Sequence, residues 1–214
     1  MKNNTTELVF ILDRSGSMSG FESDTIGGFN SILEKQKKED GKCYVTTVLF
    51  NDHSNLLHDR VDISEVNPLT DDDYRVGGCT ALLDSVGKSI RHIAKIHKYA
   101  RPEDVPEKTL FVITTDGYEN ASRRFDADEV KRMVEHEKKK YGWEFIFLGA
   151  DIDAIETAGR IGIAPERAAN YRKDTVGNET MFCSVNEAIT MTRSCAPLDA
   201  SWKADVDRDF EDRK

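Results

Sequence analysis

The chain has 214 residues and a formal net charge of −9, from 39 acidic and 30 basic residues. This length suits one domain, since domains run to roughly 100–200 residues, and the acidic surplus argues against a nucleic-acid or anionic-membrane partner. The sequence has no apolar run of about 18 residues, and its N-terminal residues are not expected to act as a signal peptide. The cysteines, Cys43, Cys79, Cys183 and Cys195, lack metal-binding spacing, which predicts reduced thiols in a cytoplasmic protein.

In chain order, short apolar or β-branched runs predict strands at residues 8–12, 44–50, 56–63, 109–114, 143–148 and 168–171. Helical spacing of apolar residues predicts helices at 25–38, 81–97, 126–140, 153–160 and 178–193. The second and third strands are expected to pair across a turn at residues 51–54. Alternating strands and helices predict an α/β fold: a Rossmann-like, open, mostly parallel sheet with helices on both faces.

The last residues differ in composition from the rest. Residues 1–196 are predicted to form the domain, and residues 197–214 a charged C-terminal tail. Trp202, Val206 and Phe210 are four apart and would share one face of a helix. We expect this tail to form a short helix docked on the domain, with partner binding as the alternative.

Three polar clusters lie next to predicted strand ends or helix starts. Asp13-Arg14-Ser15-Gly16-Ser17-Met18 follows the first strand, Gly77-Gly78-Cys79-Thr80 precedes the helix at 81–97, and Thr115-Asp116-Gly117 follows the strand at 109–114. Ligand sites of open parallel sheets gather at the carboxyl ends of strands, so these clusters are expected to converge. Cys79 is expected to be a small buried residue beside Thr80.

Together the clusters offer two carboxylates and three hydroxyls, all hard oxygen donors. The candidate metal ligands are Asp13, Ser15, Ser17, Thr80 and Asp116. Such a set suits Mg²⁺ first, with Mn²⁺ or Ca²⁺ as alternatives, because zinc and copper favour His and Cys. Two carboxylates only neutralise a dication, and three hydroxyls leave room for an incoming ligand.

The succession D-x-S-G-S-M, G-G-x-T and T-D-G resembles the metal-ion-dependent adhesion site (MIDAS) of von Willebrand factor A domains, in particular the bacterial stand-alone form. The resemblance covers roughly residues 6 to 195. It implies a Rossmann-like sheet with one divalent cation at its top. It further implies that Ser15, Ser17 and Thr80 correspond to hydroxyl ligands, and that Asp13 and Asp116 hold the ion mostly through water or hydrogen-bonded hydroxyls.

The favoured function is a cation-dependent protein-interaction module whose metal accepts an Asp or Glu carboxylate from another protein. No catalytic residue and no organic cofactor are predicted. One alternative is a metal-dependent hydrolase or phosphotransferase, although no Ser-His-Asp or Cys-His arrangement is legible in the sequence. Another is an adaptor subunit of an AAA+ ATPase complex.

Overall fold

The computed structural model describes residues 4–213. Residues 1–3 and residue 214, at the ends of the predicted domain and tail, lie outside the described residues. The strands are β1 (Thr5–Asp13), β2 (Lys42–Phe50), β3 (Ser54–Asp62), β4 (Lys108–Thr115), β5 (Glu144–Gly149) and β6 (Ala168–Asn170). The helices are α1 (Glu22–Gln36), α2 (Leu82–Tyr99), α3 (Ala127–Tyr141), α4 (Ala154–Arg160), α5 (Thr175–Arg193) and α6 (Ala204–Asp212).

The six strands form one sheet in the order β3-β2-β1-β4-β5-β6. All neighbours are parallel except β2 and β3, which pair antiparallel across the turn at residues 51–53. Leu8 of β1 lies between Val45 of β2 and Leu110 of β4. The predicted Rossmann-like α/β fold is confirmed, and the predicted pairing of the second and third strands across this turn is observed as an antiparallel pair.

Helices cover both faces of the sheet because the central strands are apolar on both sides. All nine residues of β1 are buried. On one face Phe10 packs in a core with residues of α1, α5 and α6, and on the other Val9 packs in a core with residues of α2, α3 and α4. Continuous apolar runs are typical of strands buried in this way.

The C-terminal segment packs on the domain. Trp202, in a 3-10 turn at Ala200–Lys203, and Val206, in α6, are fully buried in the same core as β1 and α5. The indole Nε1 of Trp202 donates to the carbonyl of Glu166 at 3.0 Å. Trp202 therefore precedes α6 and does not share a continuous helix with Val206 and Phe210. Whether residues 197–214 form a unit separate from residues 1–196 stays a prediction.

The strand order fixes where a site can form. From β1 the chain proceeds to β2 on one side and later enters β4 on the other. Crevices at the carboxyl ends of strands at such a switch point are the usual ligand sites of open α/β sheets. β1 ends at Asp13, and β4 ends at Thr115, one residue before Asp116. Among residues 4–213, no helix has the length and apolar character needed to cross a bilayer.

Candidate metal centre

The loops that carry the three polar clusters are joined by hydrogen bonds of main-chain groups, in one case to a side chain. Gly16 N–H donates to the carbonyl of Gly78 at 3.0 Å, which joins the first loop to the second. Thr80 N–H donates to Asn120 Oδ1 at 2.8 Å, and Asn120 N–H donates to the Thr80 carbonyl at 3.1 Å. The loop after β4 is thereby tied to the loop before α2. The contact between Asn120 and Thr80 was not predicted from the sequence.

Asp13 is buried, and neutral donors hold both of its carboxylate oxygens. Oδ1 accepts from the Ser15 N–H at 2.7 Å, and Oδ2 accepts from the Thr115 hydroxyl at 2.6 Å. The Tyr74 hydroxyl donates to the Asp13 main-chain carbonyl. Burial raises the pKa of Asp13 to about 6, although these hydrogen bonds oppose the shift. The fold thus retains a carboxylate whose charged form is poorly compensated.

Ser15, Ser17 and Asp116 form a connected row of oxygens. The hydroxyls of Ser15 and Ser17 are 3.0 Å apart, and Ser17 donates to Asp116 Oδ1 at 2.6 Å. Ser15 and Asp116 are buried. The first and third motifs are therefore in direct side-chain contact, as the convergence of strand ends predicts.

Thr80 reaches the same place from the start of α2. A Cβ built on Gly117 would lie 3.3 Å from Thr80 Oγ1 and 3.4 Å from Ser17 Oγ. Both hydroxyls therefore border one small space beside Gly117, and a side chain at this position would fill it. All five predicted site residues therefore lie together at the carboxyl ends of the strands. Four of them, Asp13, Ser15, Ser17 and Asp116, are linked by hydrogen bonds or close contacts, and Thr80 borders the space beside Gly117.

Lys173 is a member of the cluster that the sequence did not reveal. It lies between β6 and α5, and its Nζ is 2.8 Å from Asp116 Oδ2. Asp116 Oδ2 is buried and accepts no well-oriented hydrogen bond, so its contact with Lys173 is an ion pair without hydrogen-bond geometry. Lys173 Nζ is also 3.6 Å from Asp151 Oδ2.

The expectation that Cys79 is buried was wrong. Cys79 is exposed, because its N–H donates to Asp52 Oδ1 at 2.9 Å and the loop turns the thiol to solvent. Gly78 enables this bend with a φ of +81°, and a Cβ at Gly78 would lie 2.2 Å from Asp52 Oδ2. Asp52 thus shapes the loop that carries Thr80.

The donor set fits a hard divalent cation. Within residues 4–213, His, Cys, Asp and Glu side chains form no group of three or more able to hold a metal. The oxygens that converge come instead from two carboxylates and three hydroxyls. Asp116 Oδ2 lacks a hydrogen-bond donor, and the space beside Gly117 is bordered by hydroxyls. Such oxygens suit Mg²⁺, Mn²⁺ or Ca²⁺ better than a soft metal.

Comparison with known proteins bears on the fold. No protein-family model matches the sequence, and no curated protein matches it either. Solved structures do match. The PilB minor pilin from Streptococcus sanguinis aligns with a TM-score of 0.61 at 11% identity, over 90% of this chain and 64% of that one. A von Willebrand factor type A protein from Catenulispora acidiphila aligns with a TM-score of 0.57 at 11% identity, over 86% and 42%.

A third match is proximal thread matrix protein 1 from the mussel byssus, in a structure described as having a zinc-occupied MIDAS motif. It aligns with a TM-score of 0.57 at 14% identity, over 85% of this chain and 45% of that one. The chain therefore spans less than two thirds of the length of these structures. The likeness shows that this chain has the fold of von Willebrand factor A domains.

Proposed function

We propose that the chain is a divalent-cation-dependent protein-interaction module, with Mg²⁺ as the preferred ion. Asp13, Ser15, Ser17, Thr80 and Asp116 would hold the ion. When bound, it would offer an electrophilic coordination position to an Asp or Glu carboxylate of a partner protein. The proposal rests chiefly on the row formed by Ser15, Ser17 and Asp116, with oxygens 3.0 and 2.6 Å apart.

The electrostatics of the cluster favour a cation. Asp13 and Asp116 are both buried, and Asp116 contributes to the raised pKa of Asp13 by like-charge repulsion. Lys173 supplies one positive charge at 2.8 Å from Asp116. A dication added to this group would over-compensate the two carboxylates, and the surplus charge would attract an anionic ligand. A zinc-occupied MIDAS in a protein of the same fold supports a divalent ion here.

Binding is proposed here in preference to catalysis, because both carboxylates of the cluster are held by neighbouring groups of the chain. A general base needs a carboxylate oxygen free to take a proton from substrate or water. Both oxygens of Asp13 are already engaged, one by the Ser15 amide and the other by the Thr115 hydroxyl. Asp13 therefore positions the Ser15 loop in addition to supplying negative charge for the ion. Magnesium-dependent phosphatase or esterase turnover that disappears in Asp13→Ala would overturn this part of the proposal.

The first test is calorimetric titration of the full chain with Mg²⁺ and with Mn²⁺. The wild type is expected to bind one ion, and Ser15→Ala/Ser17→Ala is expected to lose measurable binding because two hydroxyl donors are gone. Ser31→Ala, on the exposed face of α1, is the control and should bind like the wild type. Absence of binding by the wild type at millimolar metal would refute the proposed centre.

The second test addresses the partner. Immobilised wild type and Ser15→Ala/Ser17→Ala are exposed to cell lysate in Mg²⁺ and again in EDTA, and retained proteins are identified by mass spectrometry. We expect at least one protein retained only by the wild type with Mg²⁺. Replacement of that protein's acidic residues should then abolish its retention. Identical sets in all four conditions would contradict a metal-dependent interaction.

A further inference from the structure

The ion pair between Lys173 and Asp116 places a lysine ammonium group inside the candidate metal centre. The Asp116 side chain has no exposed surface, and the Lys173 side chain is only 19% exposed. Because Lys173 Nζ is 2.8 Å from Asp116 Oδ2, the lysine covers this oxygen. Asp116 Oδ1 is occupied by the Ser17 hydroxyl at 2.6 Å. One of the two carboxylates of the centre is therefore already neutralised by a cation that belongs to the chain.

The main chain on both sides of Lys173 is anchored. Arg172 Nη2 donates to the Phe210 carbonyl of α6 at 2.8 Å, and its guanidinium lies 4.6 Å from the centre of the Phe210 ring. Asp174 accepts from the Gly177 N–H at the start of α5 at 2.8 Å and from Arg213 at 2.7 Å. Lys173 thus projects from a fixed backbone, so its position at Asp116 is built into the fold.

Lys173 also has a second carboxylate within reach. Asp151 Oδ2, on the loop after β5, is 3.6 Å from Lys173 Nζ, and this side chain is 65% exposed. The ring of Phe21 also faces the ammonium, with its centre 5.5 Å from Nζ. A small side-chain rotation would therefore transfer the ammonium from Asp116 to Asp151 without leaving it unpaired.

We propose that Lys173 is an internal competitor of the divalent cation: it neutralises Asp116 in the metal-free protein and moves toward Asp151 when metal binds. This inference rests on the proposed function, because it concerns the same centre. Two cations beside one buried carboxylate repel each other strongly in a site of low dielectric. The lysine therefore lowers the metal affinity and keeps the metal-free fold stable.

Calorimetric titration of Lys173→Met with Mg²⁺ and Mn²⁺ tests the proposal. Methionine keeps most of the side-chain volume and removes the charge. The variant is expected to bind each metal about tenfold more tightly than the wild type, since one nearby positive charge is gone. Lys139→Met removes the same charge from the exposed last turn of α3. This turn leads into the amino end of β5, away from the strand ends that carry the centre, so the variant should bind metal like the wild type.

The role of Asp151 is tested by a double-mutant cycle. Asp151→Asn retains the side-chain shape and should weaken metal binding in the wild type, because the displaced ammonium has no carboxylate to receive it. In the Lys173→Met background the same substitution should have a smaller effect, since there is no ammonium to receive. An equal effect in both backgrounds would mean that Asp151 acts only through its own charge, which would overturn the transfer to Asp151.

Thermal melting provides a readout without bound metal. In EDTA, Lys173→Met leaves Asp116 buried without a counter-cation, so its melting temperature should fall below that of the wild type. Mg²⁺ should raise the melting temperature of the variant more than that of the wild type. Equal metal affinity of wild type and Lys173→Met would overturn the competitor role alone. Absence of metal binding in both proteins would overturn the proposed function together with it.

Discussion

β1 buries a carboxylate near each of its ends, and the two carboxylates have opposite surroundings. Near the amino end, Glu7 is fully buried and its Oε2 lies 2.7 Å from Arg60 Nε and 3.3 Å from His97 Nε2. At the carboxyl end, the donors to the Asp13 side chain among residues 4–213 are neutral, namely the Ser15 amide and the Thr115 hydroxyl. A guanidinium neutralises Glu7 permanently, whereas the cluster of Asp13 and Asp116 shares one lysine ammonium. Glu7 thus belongs to a neutral structural ion pair, whereas the cluster at the carboxyl end keeps an excess negative charge that could attract a cation.

The amino-end pair is also more rigidly built. The Arg60 guanidinium lies 4.7 Å from the centre of the Tyr44 ring. Arg60 is in β3, which pairs antiparallel with β2, the strand that carries Tyr44. Lys173, by contrast, comes from a loop and has two carboxylates to choose between. An arginine stacked on an aromatic ring holds one geometry, while a lysine on a flexible stem can exchange partners.

The largest expected effect comes from removing residues 197–214, which include buried core residues and the side chains that hold the segment carrying Lys173. Trp202 and Val206 are fully buried. Phe210 of α6 accepts from Arg172, and Arg213, which follows α6, donates to Asp174, so both residues that flank Lys173 are held. Loss of one buried tryptophan alone costs about 3–5 kcal/mol, so the melting temperature should fall by roughly 10 °C or more. Differential scanning calorimetry measures it. An unchanged melting temperature would indicate that these residues are a partner-binding tail and not part of the folded unit.

Arg60→Met tests the ion pair at the amino end of β1, because it removes the charge of Arg60 and keeps an aliphatic side chain. Glu7 would remain buried without its guanidinium, and the free energy of unfolding should drop by about 3 kcal/mol. Urea denaturation measures the loss. The magnesium affinity should stay at the wild-type value, because Arg60 lies at the other end of the sheet.

Arg91→Met is the matched control for Arg60→Met. Arg91 pairs with Glu129 at 2.6 Å, but its side chain is 62% exposed. A solvent-exposed pair contributes about 1 kcal/mol or less, so this variant should unfold almost like the wild type. Equal losses in the two variants would show that burial of Glu7 does not distinguish its ion pair.

The sequence predicts the carboxyl-end site better than the amino-end pair. Asp13, Ser15 and Ser17 follow an apolar run, and Asp116 follows another, so strand ends and parallel pairing bring them together without further information. Glu7 and Arg60 show no such pattern. Their contact depends on β3 returning antiparallel beside β2, and a single charge in a strand does not indicate which distant charge it meets.

Lys173 escaped prediction for a similar reason. It lies in a charged segment before a helix, where lysines are common and usually solvated. Its contact with Asp116 depends on β6 pairing beside β5, and on α6 and the following Arg213 holding the residues that flank it. Local periodicity reports which face of a strand or helix is buried, but not which loop side chain returns to a strand end. The structure was needed for that residue.

The smallest expected effect is a change in the stability of the metal-free protein that depends on pH and on the charge of Asp13. Burial raises its pKa from 3.8 to about 6, so the folded state binds the proton more tightly than the unfolded chain. This carboxyl therefore contributes stability below pH 4, and the contribution is lost as pH rises through 6. Above pH 6 the buried charge destabilises the metal-free protein. Asp13→Asn, which removes that charge, should then stabilise the metal-free fold by less than the roughly 3 kcal/mol that the whole pKa difference represents.

The substitution is compatible with the local hydrogen bonds. Asparagine Oδ1 can still accept from the Ser15 N–H, and its amide can donate to Thr115 Oγ1, whose own proton can turn to the Gly117 carbonyl, 3.2 Å away. Melting in EDTA at pH 4.5 and pH 7.5 measures the effect, with Asp126→Asn as control, because asparagine caps α3 as well as aspartate does. The advantage of Asp13→Asn should be larger at pH 7.5.

Addition of Mg²⁺ should reverse the order of stability at pH 7.5. A divalent cation stabilises the wild type by binding only its folded state, and Asp13→Asn should bind it far more weakly because one of two carboxylates is neutral. The same charge would thus be a cost to the metal-free fold and a requirement for the metal-bound one. If Asp13→Asn were less stable than the wild type in both EDTA and Mg²⁺, Asp13 would be a structural hydrogen-bond acceptor, and the contrast with Glu7 would fail.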